Sequence, residues 1–509
     1  MTQLHASAFP ERTSLRVRQF FVFSVLFSAT GLIAIAQSES NENLAVKVQQ
    51  LTEAMDQAQK QIESSQHELE QLRSQLAKLQ QQLAESHIAA AQPSSAAELA
   101  AAVEQIREQQ SVAEAQIATH EQSKVESESK YPVKLSGLVL LNGFINTSQM
   151  DDPVTPSMAL AGSGSTGASM RQTVLGFDAR GPQLFNGRTH ADARVDFDGA
   201  ALQSGVGTNA YAGGLLRLRT AHADLNWQHS QVFFSLDHPI IAPNTPTSLT
   251  AVALPALGWS GNLWTWNPQV GITQDMPLND SQRFRVQAAL IDVMNPAQIY
   301  TNAGLSSGVV NATTAENSRW PGAEGRVAFV GGADDTGIQL GIGGLFAPHR
   351  TPGGTRFNSW AGTVDYRIPL PGRVELSGSG YVGEALGGLG GGAFKDYVFS
   401  FDPIAGYSFQ NLHDYGGWVQ IKERASEHLE FNAALGTDQV PAAELRPYAG
   451  DALAYYLNLA RNVTYTGNVI YKPSAYLMFS LEYRRLQSSP VNEYSATGDV
   501  IGIATGYRF

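Results

Sequence analysis

Arg217 and Arg219 stand two positions apart, and Arg283 and Arg285 repeat that spacing. Arg194 lies between Asp192 and Asp196, while Arg326 follows Glu324, Arg367 follows Asp365 and Arg484 follows Glu482 at the same interval. Two is the side-chain period of a strand, so each set shares one face. A guanidinium stays charged and grips carboxylate or phosphate through two parallel hydrogen bonds. Such a face supports either a basic ladder that favours anions or a web of mutual ion pairs. In the second case Asp198, Asp237 and Glu375 join the acids, and the wall is stiffened without a choice of sign. The residues alone leave both open.

Other chemistry has less behind it. His222, His229, Asp237 and His238 bring metal or hydrolase sites to mind, yet they fall on different strands or faces, and no nucleophile–base–orienter spacing appears. Gly162-Ser163-Gly164-Ser165-Thr166-Gly167 matches GxGxxG, but no helix follows to receive a pyrophosphate. "EALGGLGGGAF" reads as a mobile external loop rather than a phosphate cradle. Cysteine is absent, which removes thiol nucleophiles, Cys-ligated zinc and iron–sulfur clusters. A net charge of −12 argues against nucleic acid as a partner. The expectation is a protein without enzymatic activity, cofactor or resident metal.

The elements that would position the charged faces are strands. Only 16% of the 509 residues are charged, against roughly 25% in a soluble protein, while mean hydropathy is still slightly negative at −0.16. That combination suits a barrel alternating lipid-facing and water-facing residues, and 48 Gly with 17 Tyr agree with it. From Tyr131 the period is two: in "AYLMFSLEYR", Ser480, Glu482 and Arg484 oppose Leu477, Phe479, Leu481 and Tyr483. Strands are expected near 133–147, 171–181, 188–199, 214–228, 231–238, 263–274, 282–294 and 319–331. Eight more follow near 336–347, 356–369, 373–385, 412–424, 427–436, 457–472, 475–487 and 498–509, about sixteen in all.

Their connections alternate. Links such as "QHS", "PLPG", "RAS" and "KPS" are short, and those between are usually long, at roughly ten to twenty-five residues. Short turns on one rim and long loops on the other are the habit of outer-membrane barrels; a sandwich has no reason to sort its loops this way. The chain ends on "GIATGYRF", with Ile503, Thr505, Tyr507 and Phe509 on one side. A last strand with that side in lipid closes the ring and sets an aromatic residue at the interface.

Ahead of the strands, Arg12, Arg16 and Arg18 precede "FFVFSVLFSATGLIAIA", and Ala34-Ile35-Ala36 offers small residues before Gln37. This reads as a signal peptide over 1–36. From Leu44 a seam of Val48, Leu51, Met55, Ala58, Ile62, Ser65, Leu69, Leu72, Leu76, Leu79 and Leu83 steps by fours and threes. It predicts a coiled coil over 37–92, a rod of roughly 60 Å, with no single oligomer number selected. A short helix and polar linker occupy 93–130, and the barrel domain spans 131–509. The fold class is therefore an all-β transmembrane barrel of antiparallel strands behind an α-helical coiled coil.

With "RQTVLGFDARGP" (Arg171 to Pro182) and "LLRLRTAHADL" (Leu215 to Leu225), the mature chain resembles the DcaP-like trimeric outer-membrane porins. The resemblance implies a homotrimer in outer-membrane lipid, its coiled coil in the periplasm, passing small hydrophilic and often anionic solutes. Selection would then rest on diameter and charge. The proline-rich segment Pro239 to Asn262 is the natural constriction: it either folds inward against the wall, the course that analogy with sixteen-stranded porins favours, or stands outside as a surface loop. Arg194, Arg217, Arg219, Arg283, Arg285, Arg326, Arg367 and Arg484 would line the pore. Asp192, Asp196, Asp237, Glu324, Asp365 and Glu482 would stand among them. The other reading is an envelope tether, with the barrel as anchor and the coiled coil meeting periplasm or cell wall.

Overall fold

The computed structural model describes residues 133–199, 215–296, 312–332, 335–402, 404, 406–450 and 455–509. The expected signal peptide, coiled coil and linker lie outside the described residues. The wall begins with β1 (Val133–Met150), β2 (Ala159–Ser169), β3 (Val174–Leu184), β4 (Gly187–Gly199), β5 (Leu215–Asn226) and β6 (Ser230–Asp237). It continues through β7 (Asn267–Asn279), β8 (Gln282–Ile291), β9 (Gly322–Gly331), β10 (Gln339–Arg350), β11 (Arg356–Leu370) and β12 (Val374–Glu384). A separate hairpin, β13 (Tyr397–Asp402) and β14 (Gly406–Asn411), precedes β15 (His413–Arg424) and β16 (Leu429–Gln439). β17 (Leu459–Tyr471), β18 (Leu477–Pro490) and β19 (Ala496–Arg508) complete it.

Every strand of the wall pairs antiparallel with its neighbours, and β19 returns to β1 with Ile503 opposite Gly143 and Arg508 opposite Leu138. β1 pairs with β2 over one half and with β3 over the other, so those two segments together make one stave. The result is a closed sixteen-stranded antiparallel barrel. The sixteen expected strands coincide with its staves. Two features were not anticipated: β2, whose "ALAGSGSTGAS" has too few large residues to show alternation, and the β13–β14 hairpin. The GxGxxG run lies on β2, a strand, which removes the dinucleotide reading.

The alternation assigns the two faces. Ile145 on β1, Ile272 on β7, Val364 on β11, Leu481 on β18 and Ile501, Ile503 and Tyr507 on β19 point outward and are exposed. Asn142, Asp365, Gln420, Asn468 and Glu482 point inward and are buried. Closure leaves no unpaired strand edge, the condition for a sheet to cross lipid. At the seam, Gly137 N donates to the Phe509 carbonyl at 3.0 Å and Phe509 N returns to Gly137 O at 3.1 Å. The Phe509 ring occupies the space beside Gly137 where a Cβ would stand.

The apolar core lies inside the ring. Trp259, Trp264 and Trp266 pack with Phe394, Leu412, Val440, Leu445 and Leu459. Ile241, Ala242 and Leu263 pack with Ile291, Val293, Tyr381, Leu386 and Leu389. These residues come largely from two connections that enter the barrel: 238–266 after β6 and 385–396 after β12.

Candidate functional site: the lumen and its two inward loops

The first inward loop follows the inner wall for much of its circumference. Ile241 O accepts from Thr363 Oγ1 on β11 at 2.9 Å, and Thr247 N donates to Gln420 Oε1 on β15 at 2.7 Å. Thr247 O accepts from Asn468 on β17 and Leu249 O from Asn142 on β1, at 2.8 and 2.9 Å. Thr250 Oγ1 donates to Glu482 Oε1 on β18 at 2.7 Å. Gln172, between β2 and β3, accepts from Val252 N and Ala253 N at 2.7 and 3.0 Å. Amide and hydroxyl side chains suit this task, because they satisfy loop backbone that would otherwise be stranded away from water. The loop then returns across the barrel, where Trp259 O accepts from Asn462 on β17 at 3.0 Å. The return requires glycine on both sides: a Cβ on Gly436 would lie 2.1 Å from Ser260 O, and one on Gly261, whose φ is +97°, 2.2 Å from Gly417 O.

The second loop overturns the expectation of a mobile external segment for "EALGGLGGGAF". Gly387 through Lys395 are buried. Two wall carboxylates hold the backbone: Asp414 accepts from Gly392 N and Asp438 from Ala393 N, each at 2.6 Å. Tyr381 OH donates to the second Asp438 oxygen at 2.8 Å. Lys395 Nζ donates to the carbonyls of Ala393, Tyr456 and Leu459 at 2.9, 3.1 and 2.7 Å, the full complement of an ammonium. Burial lowers the Lys395 ammonium to about 7, against the opposing pull of Asp438 and Asp414. Burial raises Asp396 to about 7, offset in part by N–H groups of Gly388 and Gly387. The loops meet where Trp264 N donates to Leu389 O at 3.0 Å and Trp259 stacks on Phe394, ring centres 4.6 Å apart.

All the residues singled out for the lumen are on inward faces, and they gather into separate clusters. Arg217 grips Asp196 with two hydrogen bonds, 3.0 and 2.6 Å, and Arg219 reaches the same carboxylate at 3.4 Å. Both guanidinium carbons lie 5.0 Å from the centre of the Trp266 ring, within cation–π range. Arg285 grips Asp275 at 2.8 and 2.9 Å and touches Asp335 at 3.0 Å. Arg283 meets the same two acids, and Arg367 donates to the Asp335 carbonyl. Arg326 holds Asp365 at 2.8 and 2.7 Å. Arg484 meets Glu482 at 2.6 Å, Arg194 meets Asp178 at 2.9 Å and Asp192 at 3.7 Å, and Glu324 is buried near the entry of the first loop. These pairs are the network, not an array of bare cations.

One cluster was hidden by a bulge. β4 and β5 pair Arg194 with Thr220 but Val195 with Leu218, leaving Arg219 as an extra residue. A bulge of this kind shifts the facing parity, so Arg217 above it and His222 below it both look inward. His222 Nδ1 lies 3.0 Å from Asp192 and Nε2 2.9 Å from Asp237. Counted in strict alternation from Arg217, His222 would fall on the opposite face. Asp178, Asp275, Asp335, Lys395 and Trp266 were also missed. Of these, Asp275 stands just beyond the strand expected near 263–274, yet β7 carries it inside the wall.

Fold and lumen together define a closed, membrane-type β-barrel narrowed from within by loops. No family model matches the sequence, and no characterised protein matches it at the sequence level. Among solved structures, the outer-membrane channel DcaP of Acinetobacter baumannii superposes with a TM-score of 0.55. It is 15% identical, over 75% of this chain and 99% of that one. The anion-selective porin from Comamonas acidovorans covers 75% of this chain and 100% of its own at 9% identity and TM-score 0.46. OmpF of Salmonella typhi covers 75% and 99% at 11% identity, also at 0.46. The likeness to the DcaP channel is one of fold.

Proposed function

We propose that this chain is an outer-membrane porin that admits small hydrophilic solutes and performs no covalent chemistry. One observation carries the reading: a closed barrel, apolar outside, whose ionised lumen is narrowed by a loop tied to its wall from β11 round to β5, where Arg217 Nη2 donates to Ala253 O at 2.9 Å. We assign it to the outer membrane with the long-loop rim outside, and its coiled coil to the periplasm.

The finer selectivity follows from charge count. Arg283 and Arg285 meet the two carboxylates of Asp275 and Asp335, and Arg367 joins them through the Asp335 backbone carbonyl, leaving one positive charge in excess in this cluster at the short-turn mouth. Arg326, Arg484 and Arg194 each have a carboxylate of their own, while Arg217 and Arg219 share Asp196, with Asp198 at 4.0 Å from Arg217. A modest preference for anions such as carboxylates is the proposed outcome, weaker than an unpaired ladder would give.

The assembly we propose is a homotrimer meeting through β3–β5. There Ala179, Ala191 and Ala223 form one cross-strand row, and Ala193 and Ala221 the next. Small side chains let backbones of neighbouring subunits approach closely in a membrane. The test is single-channel recording of purified protein in a planar bilayer under a salt gradient. Conductance in steps of three with a reversal potential on the anion side is expected. Closed bilayers would sink the porin and leave the barrel as an anchor, a reading that the loop-filled lumen also fits.

A further inference from the structure

The outward face of the β10–β11 hairpin has a graded composition. Ile342 and Val364 pair in the apolar band, followed toward the long-loop rim by Gly344 with Gly362, then Phe346 with Trp360. At the rim Arg350 and Arg356 stand directly opposite each other, both exposed, flanking the loop Thr351–Thr355. Side chains between these positions, such as Ala347, His349, Phe357 and Ala361, turn inward and are buried.

Two features lack a structural cause. A Cβ on Gly362 would meet nothing within 4 Å and one on Gly344 only the Ala361 carbonyl at 3.5 Å, and neither has positive φ. Glycine costs stability inside a strand, and here neither packing nor backbone demands it. The pair therefore opens a recess in the lipid-facing wall beneath two aromatic rings. Above, like charges directly opposite across two strands are destabilising. Neither arginine has an acidic partner among the described residues, and the nearby Glu384 is held by the Trp360 indole at 3.1 Å. Arg356 lies four residues beyond Trp360, about 13 Å along the strand. With the aromatic pair at the hydrocarbon boundary, the guanidinium groups reach headgroup level.

We propose that this face binds a phosphorylated acyl lipid of the outer leaflet. The phosphate lies between Arg350 and Arg356, whose forked donors both suit its oxygens. An acyl chain fills the recess at Gly344 and Gly362, under Phe346 and Trp360. The proposal rests on the outer-membrane reading above. Its position suits free lipid contact, since these staves lie across the ring from the alanine rows of β3–β5.

The experiment is native mass spectrometry of the full-length protein in neutral detergent. It is titrated with hexa-acyl lipid A bearing both phosphates, with the dephosphorylated form, and with inorganic phosphate. The wild type should retain the phosphorylated lipid at least tenfold more tightly than the dephosphorylated one. R350A/R356A should lose roughly twenty- to thirtyfold of that affinity, R350K/R356K should keep most of it, and Gly362→Leu should weaken both lipid forms. Equal retention of the two lipids, or no change in R350A/R356A, overturns the site. Inorganic phosphate binding as tightly as the lipid would make it a plain anion site and overturn the acyl half. A second copy of the chain held through this face would overturn the lipid altogether. Bilayer conductance of R350A/R356A should equal wild type, so loss of the lipid site and loss of the pore are read separately.

Discussion

Arg326 and Asp365 face each other on the inner wall as a two-pronged ion pair, 2.8 and 2.7 Å, with side chains only 1% and 0% exposed. Arg326 Nη1 also donates to Gln287 at 2.9 Å. The pair sits beneath the entry of the first loop, so its charges are shielded from the water of any pore. Removing one partner strands the other without water. Asp365→Ala should lower unfolding stability by about 3–5 kcal/mol. Replacing both, as in Arg326→Met with Asp365→Leu, should cost far less. Urea unfolding in detergent checks this, and equal losses in the two variants would mean that the pair is solvated.

Glu482 ties Ser248 and Thr250 of the first loop to β18. Its Oε1 accepts from Thr250 Oγ1 at 2.7 Å and from Arg484 at 2.6 Å, and its Oε2 from Asn468 at 3.1 Å and from Ser248 Oγ. Glu482→Ala should free residues 248–250 from β18, giving larger and noisier single-channel conductance. Glu482→Gln, which keeps one acceptor oxygen, should fall between. Unchanged conductance in Glu482→Ala would place the narrowest point elsewhere.

The wall was legible in the sequence because a barrel repeats one local rule. Alternation such as Glu482–Leu481 or Asp365–Val364 is dictated at every position by lipid on one side and water on the other. The rule failed where local geometry departs from it. β2 carries Gly, Ser and Ala, whose sizes hardly mark a face. The bulge at Arg219 reverses parity, so counting by twos from Arg217 does not reveal that His222 shares its face. The Gly387–Phe394 segment looked mobile because its hold comes from Asp414 and Asp438, tens of residues away and ordinary strand acids by sequence. The inward course of the proline-rich segment was one of two readings, and its partners were not readable at all, since Gln172 or Asn462 as a wall tie is a property of the closed ring alone.

Asp396 gives the second loop a pH dependence. Its carboxyl is raised to about 7 by burial, and the N–H of Gly388 lies 3.2 Å from Oδ1. A carboxyl whose pKa is higher folded than unfolded binds more protons in the closed state. The closed loop therefore loses stability as pH rises from about 4 to about 7, and not beyond. Hydrogen exchange of residues 387–395 in wild type, divided by that in Asp396→Asn, removes the intrinsic pH effect. This ratio should be near one at pH 4 and climb by up to roughly tenfold per unit toward pH 7. A flat ratio would show that Asp396 is hydrated in the closed loop.

The charge at the short-turn mouth makes the last prediction. Asp275 accepts from Arg285 at 2.8 and 2.9 Å and lies 3.0 Å from Arg283. Neutralising it in Asp275→Asn keeps one acceptor oxygen but leaves the local excess of positive charge larger, so the reversal potential should move further to the anion side. Arg283→Ala with Arg285→Ala leaves Asp275 and Asp335 facing Arg367 alone, and the potential should move toward cations. Because ions crossing here meet water and salt, both shifts should shrink as ionic strength rises from about 0.1 to about 1 M, where the screening length falls from about 10 to about 3 Å. Equal reversal potentials in the three proteins would show that selection is made higher up, where Arg217 and Arg219 share Asp196 against the Trp266 ring. Arg217→Ala with Arg219→Ala would then carry the shift instead.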